Sequence, residues 1–324
     1  MKDEQGLVFA GLLNGTGGMT SLTWDGIQKW CASHGCLWVH LDRLGADSQR
    51  WVREESGLDP IVAEALLEEE TRPRIMVLDD SVFMTLRGVN LNAGADPEDM
   101  ISIRLWIDAN RVVTVRHRLL MTIQDIHASL LANSGPKGPG DFLTVLADRL
   151  MERMAPVIGH LDDEIDEIEE HIIEEVSHQL RSQLGSIRRQ TIALRRYIAP
   201  QREVISHLSH TQLTWLTSVH RARIREVADH LIRYVEDLDA ARDRMGVMQE
   251  ELTGKLSEQM NKTMYILTVL AGIFLPITFV TGLLGINVGG IPGSDDPGAF
   301  VIVCSLLTSS AVFVVGLFRW LKWL

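Results

Sequence analysis

The sequence predicts an α+β cytoplasmic domain with long α-helices leading into two C-terminal transmembrane helices. Three observations carry that prediction. Residues 1–138 alternate short apolar runs with turn signals, the pattern of strands interleaved with short helices. Beyond Gly135-Pro-Lys-Gly-Pro-Gly140, a strong breaker, the pattern turns helical and stays so. Near the C-terminus, two uncharged runs are each long enough to cross a bilayer.

Within residues 1–138, strands are expected at Leu7–Leu12, Leu37–Leu41, Ile75–Leu78, Val82–Asn92, Ile101–Ile107 and Arg111–Arg116. Helices are expected over Ser48–Gly57 and Pro60–Glu70, with Pro60 suited to a first turn. Residues 139–262 form a long-helix region. Its first part, Asp141 to about Ser209, carries the acidic run Asp162–Glu170 and is broken or kinked at Pro200. The last helix runs from Ser218 to Ile286 with Pro276 as its only proline. Its apolar positions Ile224, Val227, Leu231, Tyr234, Leu238, Ala241, Met245, Met248 and Leu252 step by three and four, a stripe of coiled-coil type. Two arrangements bury such a stripe: copies packed around an axis, as a funnel whose stem becomes a pore, or the preceding helices of the same chain.

The spans are placed at 263–287 and 298–318, joined by an external loop at 288–297 and followed by a tail at 319–324. A bilayer core needs about 20 helical residues. Lys255 and Lys262 precede the first span, and Arg319 and Lys322 follow the second. The loop has no Lys or Arg, so both termini are expected to face the cytoplasm. After Lys262 the residues Asp295, Asp296, Arg319 and Lys322 cancel, so the net charge of −12 sits before the membrane. An acidic soluble portion excludes nucleic acid as partner, since phosphate backbones need clustered cations. Three cysteines, Cys31, Cys36 and Cys304, make no disulfide framework. The apolar stretch near the N-terminus is too short for the signal peptide pattern, so none is expected there.

The first span is not uniformly apolar. Asn261, Met264, Leu267, Ala271, Leu275 and Thr278 follow at steps of three and four and share roughly one face, polar at both ends. Copies around an axis would make a conduit with polar mouths and hydrophobic constrictions. The alternative use of the threonines, including Thr268 and Thr281, is bonding back to the helix backbone. Asn287 lies about two and a half turns beyond Thr278, on the other side of a straight helix, unless Gly282 and Gly285 end the helix first. No carboxylate or histidine lies on the face, so Asn287 and Thr278 are candidate ligands only for an ion that keeps its waters.

Elsewhere, Cys31, His34, Cys36 and His40 fall within ten residues, but Cys36 and His40 alternate on a strand where burial accounts for them better. His207 and His210 have a chelating i, i+3 spacing. The acidic run Asp162–Glu170 reads as a solvated face or a cation-concentrating surface. Arg72, Arg74, Arg195, Arg196 and Arg202 have no evident acid partner and read as structural. No nucleophile–base set or phosphate loop supports an enzyme, and no catalytic cofactor is expected.

The stretch Met260-Asn261-Lys262, Leu267-Thr268, Phe274-Leu275-Pro276-Ile277-Thr278-Phe279, Gly282 and Gly285-Ile286-Asn287 resembles the first span of the CorA-type two-span Gly-x-Asn metal transporters. The closing Lys322-Trp323-Leu324 is similar to that family's usual C-terminus. Ile286 stands where the family usually has Met, and the loop Val288-Gly-Gly-Ile-Pro-Gly293 lacks the acidic residue of magnesium-type members. Both departures, with Thr71-Arg-Pro-Arg74 and Arg195–Arg202, resemble the zinc-transporting ZntB branch.

The resemblance implies a funnel-shaped homopentamer in the bacterial inner membrane that takes up zinc with help from the proton gradient. The first spans line the pore and the second spans lie outside them. It makes Gly285, Ile286 and Asn287 the selectivity motif, with Asn287 presenting a ring of five amides to the hydrated cation. Thr278 becomes a hydroxyl ring, Leu275, Leu267 and Met264 narrow rings, and Asn261 the cytoplasmic exit. A broader magnesium, cobalt or nickel conduit is the neighbouring reading, and a membrane-anchored sensor or scaffold is the reading outside transport.

Overall fold

The computed structural model describes residues 6–69, 72–174, 178–286, 293 and 296–320. Asn287, most of the following loop and the closing Lys322-Trp323-Leu324 lie outside the described residues. The chain divides into two compact units, Met1–Gln249 and Glu250–Leu324.

The first unit opens with β1 (Leu7–Leu13), β2 (Met19–Leu22), α1 (Trp24–Gln28), β3 (Cys36–Asp42), α2 (Ala46–Arg50) and α3 (Pro60–Leu67). It continues through β4 (Arg74–Leu78), β5 (Ser81–Gly88), β6 (Ile101–Ile107), β7 (Arg111–Arg116) and α4 (Met121–Leu131). The strands form one sheet in the order β2-β1-β3-β7-β6-β5-β4. Every neighbouring pair is antiparallel except β3 with β7. Val39, Leu41, Phe83, Trp106, Val113 and Val115 pack with Val52, Val62 and Leu66 of the segment around α2 and α3. The other face meets helices too, since Trp38 lies edge-on to Phe142 at 4.8 Å. A sheet covered on both faces needs apolar side chains at successive positions, which is why β5 and β6 read as continuous runs.

Three long helices follow: α5 (Pro139–Glu174), α6 (His178–His210) and α7 (Ser218–Leu284), the last running from the first unit into the second. Pro200 does not end α6, which runs on to His210. Buried Ile198, Val204, Ile205 and Leu208 on either side hold the helix against its neighbours, and packing outweighs the missing backbone donor. The stripe on α7 is buried within the single chain: Ile224, Leu231, Leu238, Met245 and Met248 are all at most 5% exposed. Interhelical polar contacts flank it, Arg195 to Asp239 at 2.5 Å from α6 and Arg244 to Asp166 and Glu169 at 2.5 Å from α5. The stripe therefore seals a three-helix bundle and gives no argument for association between copies. The second unit holds the rest of α7 and α8 (Ala299–Trp320), the two helices long and apolar enough to cross a membrane.

Candidate ion-conducting site

On the apolar part of α7, exposure divides by helical face. Val269, Gly272, Ile273, Ile277 and Val280 are half-buried, while Met264, Leu267, Ala271, Leu275 and Thr278 are exposed. At about 100° per residue the two sets are centred roughly 180° apart. The half-buried set faces α8: a Cβ on Gly272 would stand 2.7 Å from the Phe318 ring, so glycine is what lets that ring approach the α7 backbone. On α8 the half-buried residues include Val303, Leu307, Ala311, Val314 and Phe318. The face expected to line a pore is thus the one turned away from the chain's own second span. Asn261 is also exposed, about 80° from the centre of that face.

The threonines of this helix differ in what their hydroxyls do. Thr268 donates to the Met264 carbonyl at 2.8 Å, and Thr281 to the Ile277 and Thr278 carbonyls at 3.0 and 3.1 Å. These satisfy themselves on their own helix. Among the described residues nothing bonds the Thr278 hydroxyl, and its side chain is exposed on the unpartnered face. The helix ends at Leu284. The Gly285 amide then donates to the Thr281 carbonyl at 2.9 Å, and a Cβ there would sit 3.0 Å from that oxygen. Glycine is what that closing turn accommodates. Ile286 follows, half exposed, and Asn287 lies outside the described residues.

The other candidates disperse. Cys31 contacts the Ser33 hydroxyl at 3.0 Å, and burial pushes the Cys36 thiol up to about 12, Asp108 adding to it. The His40 ring is fully buried against Thr114 Oγ1 at 2.9 Å, and burial first, then Arg116, lowers it to about 3. His210 Nδ1 lies 2.9 Å from the Ser206 carbonyl, a contact within its own helix. In the acidic run, Asp166 and Glu169 both bind Arg244, so part of that face is interhelical contact. Among the described residues no three His, Cys, Asp or Glu side chains gather as a metal site. Of the arginines expected to lack acid partners, three have them: Arg74 with Glu68, Arg195 with Asp239 and Arg202 with Glu203. Those partners come from other elements or, for Glu203, from the next residue along, so spacing rules alone did not point to them.

The chain matches the CorA-like Mg2+ transporter family over residues 33–322. It is 41% identical to "Divalent cation transporter CmaX" of Pseudomonas aeruginosa, covering 99% of this chain and 98% of that one. With "Zinc transport protein ZntB" of Yersinia enterocolitica it shares 36%, covering 97% and 94%. Its fold superposes on the full-length CmaX structure with a TM-score of 0.86 at 40% identity over 99% of both chains. On the CorA magnesium transporter of Methanocaldococcus jannaschii the TM-score is 0.78 at 16% identity over 96% of both chains, a likeness of fold. The match spans the soluble sheet, the helical bundle and both apolar helices together, so the chain belongs to the CorA-like Mg2+ transporter family and is a divalent cation transporter of that family.

Proposed function

We propose that the chain works as a homopentamer in the bacterial inner membrane and takes up zinc through a pore lined by α7, with both termini cytoplasmic. The observation that carries this reading is the exposed face of Met264, Leu267, Ala271, Leu275 and Thr278, opposite the face that α8 covers. Five such faces around an axis make a conduit whose middle is apolar and whose mouths are Asn261 on one side and Asn287 on the other. Neutral amides and hydroxyls suit an ion that keeps most of its hydration shell, because stripping a divalent cation takes strong ligands such as carboxylate oxygens or imidazole nitrogens. The Gly285-Ile286-Asn287 motif is the selectivity element in this scheme. Orientation rests on Lys255, Lys262, Arg319 and Lys322 flanking the spans, with no basic residue between them.

Zinc is favoured by the likeness to the ZntB protein and by Ile286 and the uncharged Val288–Gly293 segment. A broader divalent conductance has its own support, since the 41%-identical relative is named for divalent cations without a metal. Flux into liposomes decides between them. Purified protein is expected to move zinc, with excess magnesium, cobalt or nickel competing weakly, and an inward proton gradient is expected to raise the rate. Asn287→Ala is expected to abolish or severely reduce flux while the protein still inserts. Wild-type flux in that variant removes Asn287 from the mechanism, and equal competition by all four metals replaces zinc selectivity with the broader reading.

A further inference from the structure

A chain with a net charge of −12 gathers four arginines and a histidine around one cavity of about 520 Å³ in its first unit. Arg87 comes from the end of β5, His117 and Arg118 from just beyond β7, Arg196 and Tyr197 from α6, and Arg72 from the segment before β4. Among the described residues two acids lie beside them. Asp99 binds Arg118 at 2.5 Å, and Glu69, also on the wall, reaches Arg43 only at 3.8 Å. Among the described residues Arg72 and Arg196 have no carboxylate within ion-pair distance. Arg87 and Arg196 both lie over the Tyr197 ring, at 4.2 and 5.5 Å, so two guanidinium groups are held beside one aromatic face rather than dispersed into solvent.

A second, independent feature lies behind this wall. Arg104 sits two residues along β6 from Ser102, on the same strand face, and is fully buried. One of its nitrogens donates to the Glu69 carbonyl at 2.9 Å, but among the described residues Nε and Nη1 have no partner. Buried guanidinium groups almost always have their donors matched, so unmatched donors here are costly. Burial, then the positive charges of Arg43 and Arg87, lower Arg104 to about 10, the direction expected where positive potential accumulates.

We propose that this cavity is a binding site for a multivalent phosphate-bearing anion, held by Arg72, Arg87 and Arg196 with Arg104 adding positive charge behind them. Planar guanidinium forks match phosphate oxygens in pairs, and several converging on one volume select more than a single charge. The volume falls in the range of small-molecule sites. Occupation would tie the sheet to α6, because the recognising groups come from both.

The probe is inorganic pyrophosphate titrated calorimetrically into the detergent-solubilised full-length protein at constant ionic strength. Saturable binding is expected, weakened about tenfold for each of Arg72→Ala and Arg196→Ala. Arg225→Ala, an exposed arginine elsewhere on α7, is expected to leave it unchanged. Both test residues are exposed, so unchanged melting temperatures check that the variants fold. Flotation with phosphatidic acid vesicles tests a lipid headgroup as the source of the same chemistry, and arginine-dependent binding in either arm supports the site. Absence of binding in both arms, or equal loss in Arg225→Ala, overturns it. Glu70 lies outside the described residues, so Glu70→Gln is the further control. Binding that emerges only in that variant means an internal carboxylate fills the cluster, and the site is then an ion pair of the chain itself.

Discussion

Thr278 and Thr281 stand three residues apart on one apolar helix, yet their hydroxyls are in different chemical situations. The Thr281 hydroxyl is bonded to the backbone carbonyls of Ile277 and Thr278, whereas the Thr278 hydroxyl has no bond among the described residues. If the Thr278 hydroxyl meets the water of a passing ion, removing it matters, while the Thr281 hydroxyl serves only its own helix. Thr278→Val keeps shape and removes the hydroxyl, and metal flux is expected to fall several-fold. Thr281→Val is expected to stay within about twofold of wild type, because its bond is local and replaceable. Equal effects of the two substitutions would dissolve the distinction. A second residue-scale prediction concerns His40, whose buried ring is lowered to about 3. The unfolded chain, with an ordinary histidine, binds the proton more readily, so the folded state loses stability as pH falls from about 6.5 toward 3. The urea midpoint is therefore expected to drop between pH 7 and pH 5, and to drop less in His40→Gln. An identical pH slope in the two proteins would show that His40 contributes nothing to it.

At the scale of elements, the contact between the two apolar helices rests on a small residue facing a large one. A Cβ on Gly272 would meet the Phe318 ring at 2.7 Å. Gly272→Val overfills the contact and is expected to cost about 1–3 kcal/mol, read as a lowered melting temperature in detergent. Adding Phe318→Ala makes room for the new side chain, so the double variant is expected to recover part of the loss. No recovery would mean that the two residues do not share a contact. This element pair also shows what was legible in the sequence. The apolar runs were plain, as were β3, β5, β6 and β7, because buried strands and spans are written in continuous apolar residues. The face of α7 that meets α8 was not legible, since Val, Ile and Gly look alike toward lipid and toward a partner helix. β2 escaped because four residues at a sheet edge, two of them exposed, carry no period, α1 because five residues are too few for one. α4 begins at an uncapped Leu120 and so lacks a start signal. The arginine cluster was hidden for a different reason: positions 72, 87, 118 and 196 meet only once the sheet and α6 are in place.

For the whole molecule, the physical issue is what covers the apolar surface that one chain leaves open. The coiled-coil stripe on α7 is already covered by α5 and α6, so it does not call for a second copy. The membrane helices do present a choice. Leu275 at 68% and Phe313 at 70% are equally exposed in the single chain, one on the face opposite α8 and the other on α8 itself. In the proposed pentamer these surfaces have opposite fates, Leu275 toward water on the axis and Phe313 toward lipid. Thiol chemistry separates them, because a charged methanethiosulfonate reagent reacts as the thiolate, which forms in water and not in hydrocarbon. In a background of Cys31→Ser, Cys36→Ala and Cys304→Ala, Leu275→Cys is expected to react and lose flux on modification, and Phe313→Cys to resist both. The detergent-solubilised mass is expected to correspond to five chains. Reaction at 313 with protection at 275 would reverse the assignment of faces, and a stable monomer that still carries flux would remove the ring. Solvent decides between the two fates, since a side chain exposed in one subunit becomes pore lining or lipid contact only by what wets it.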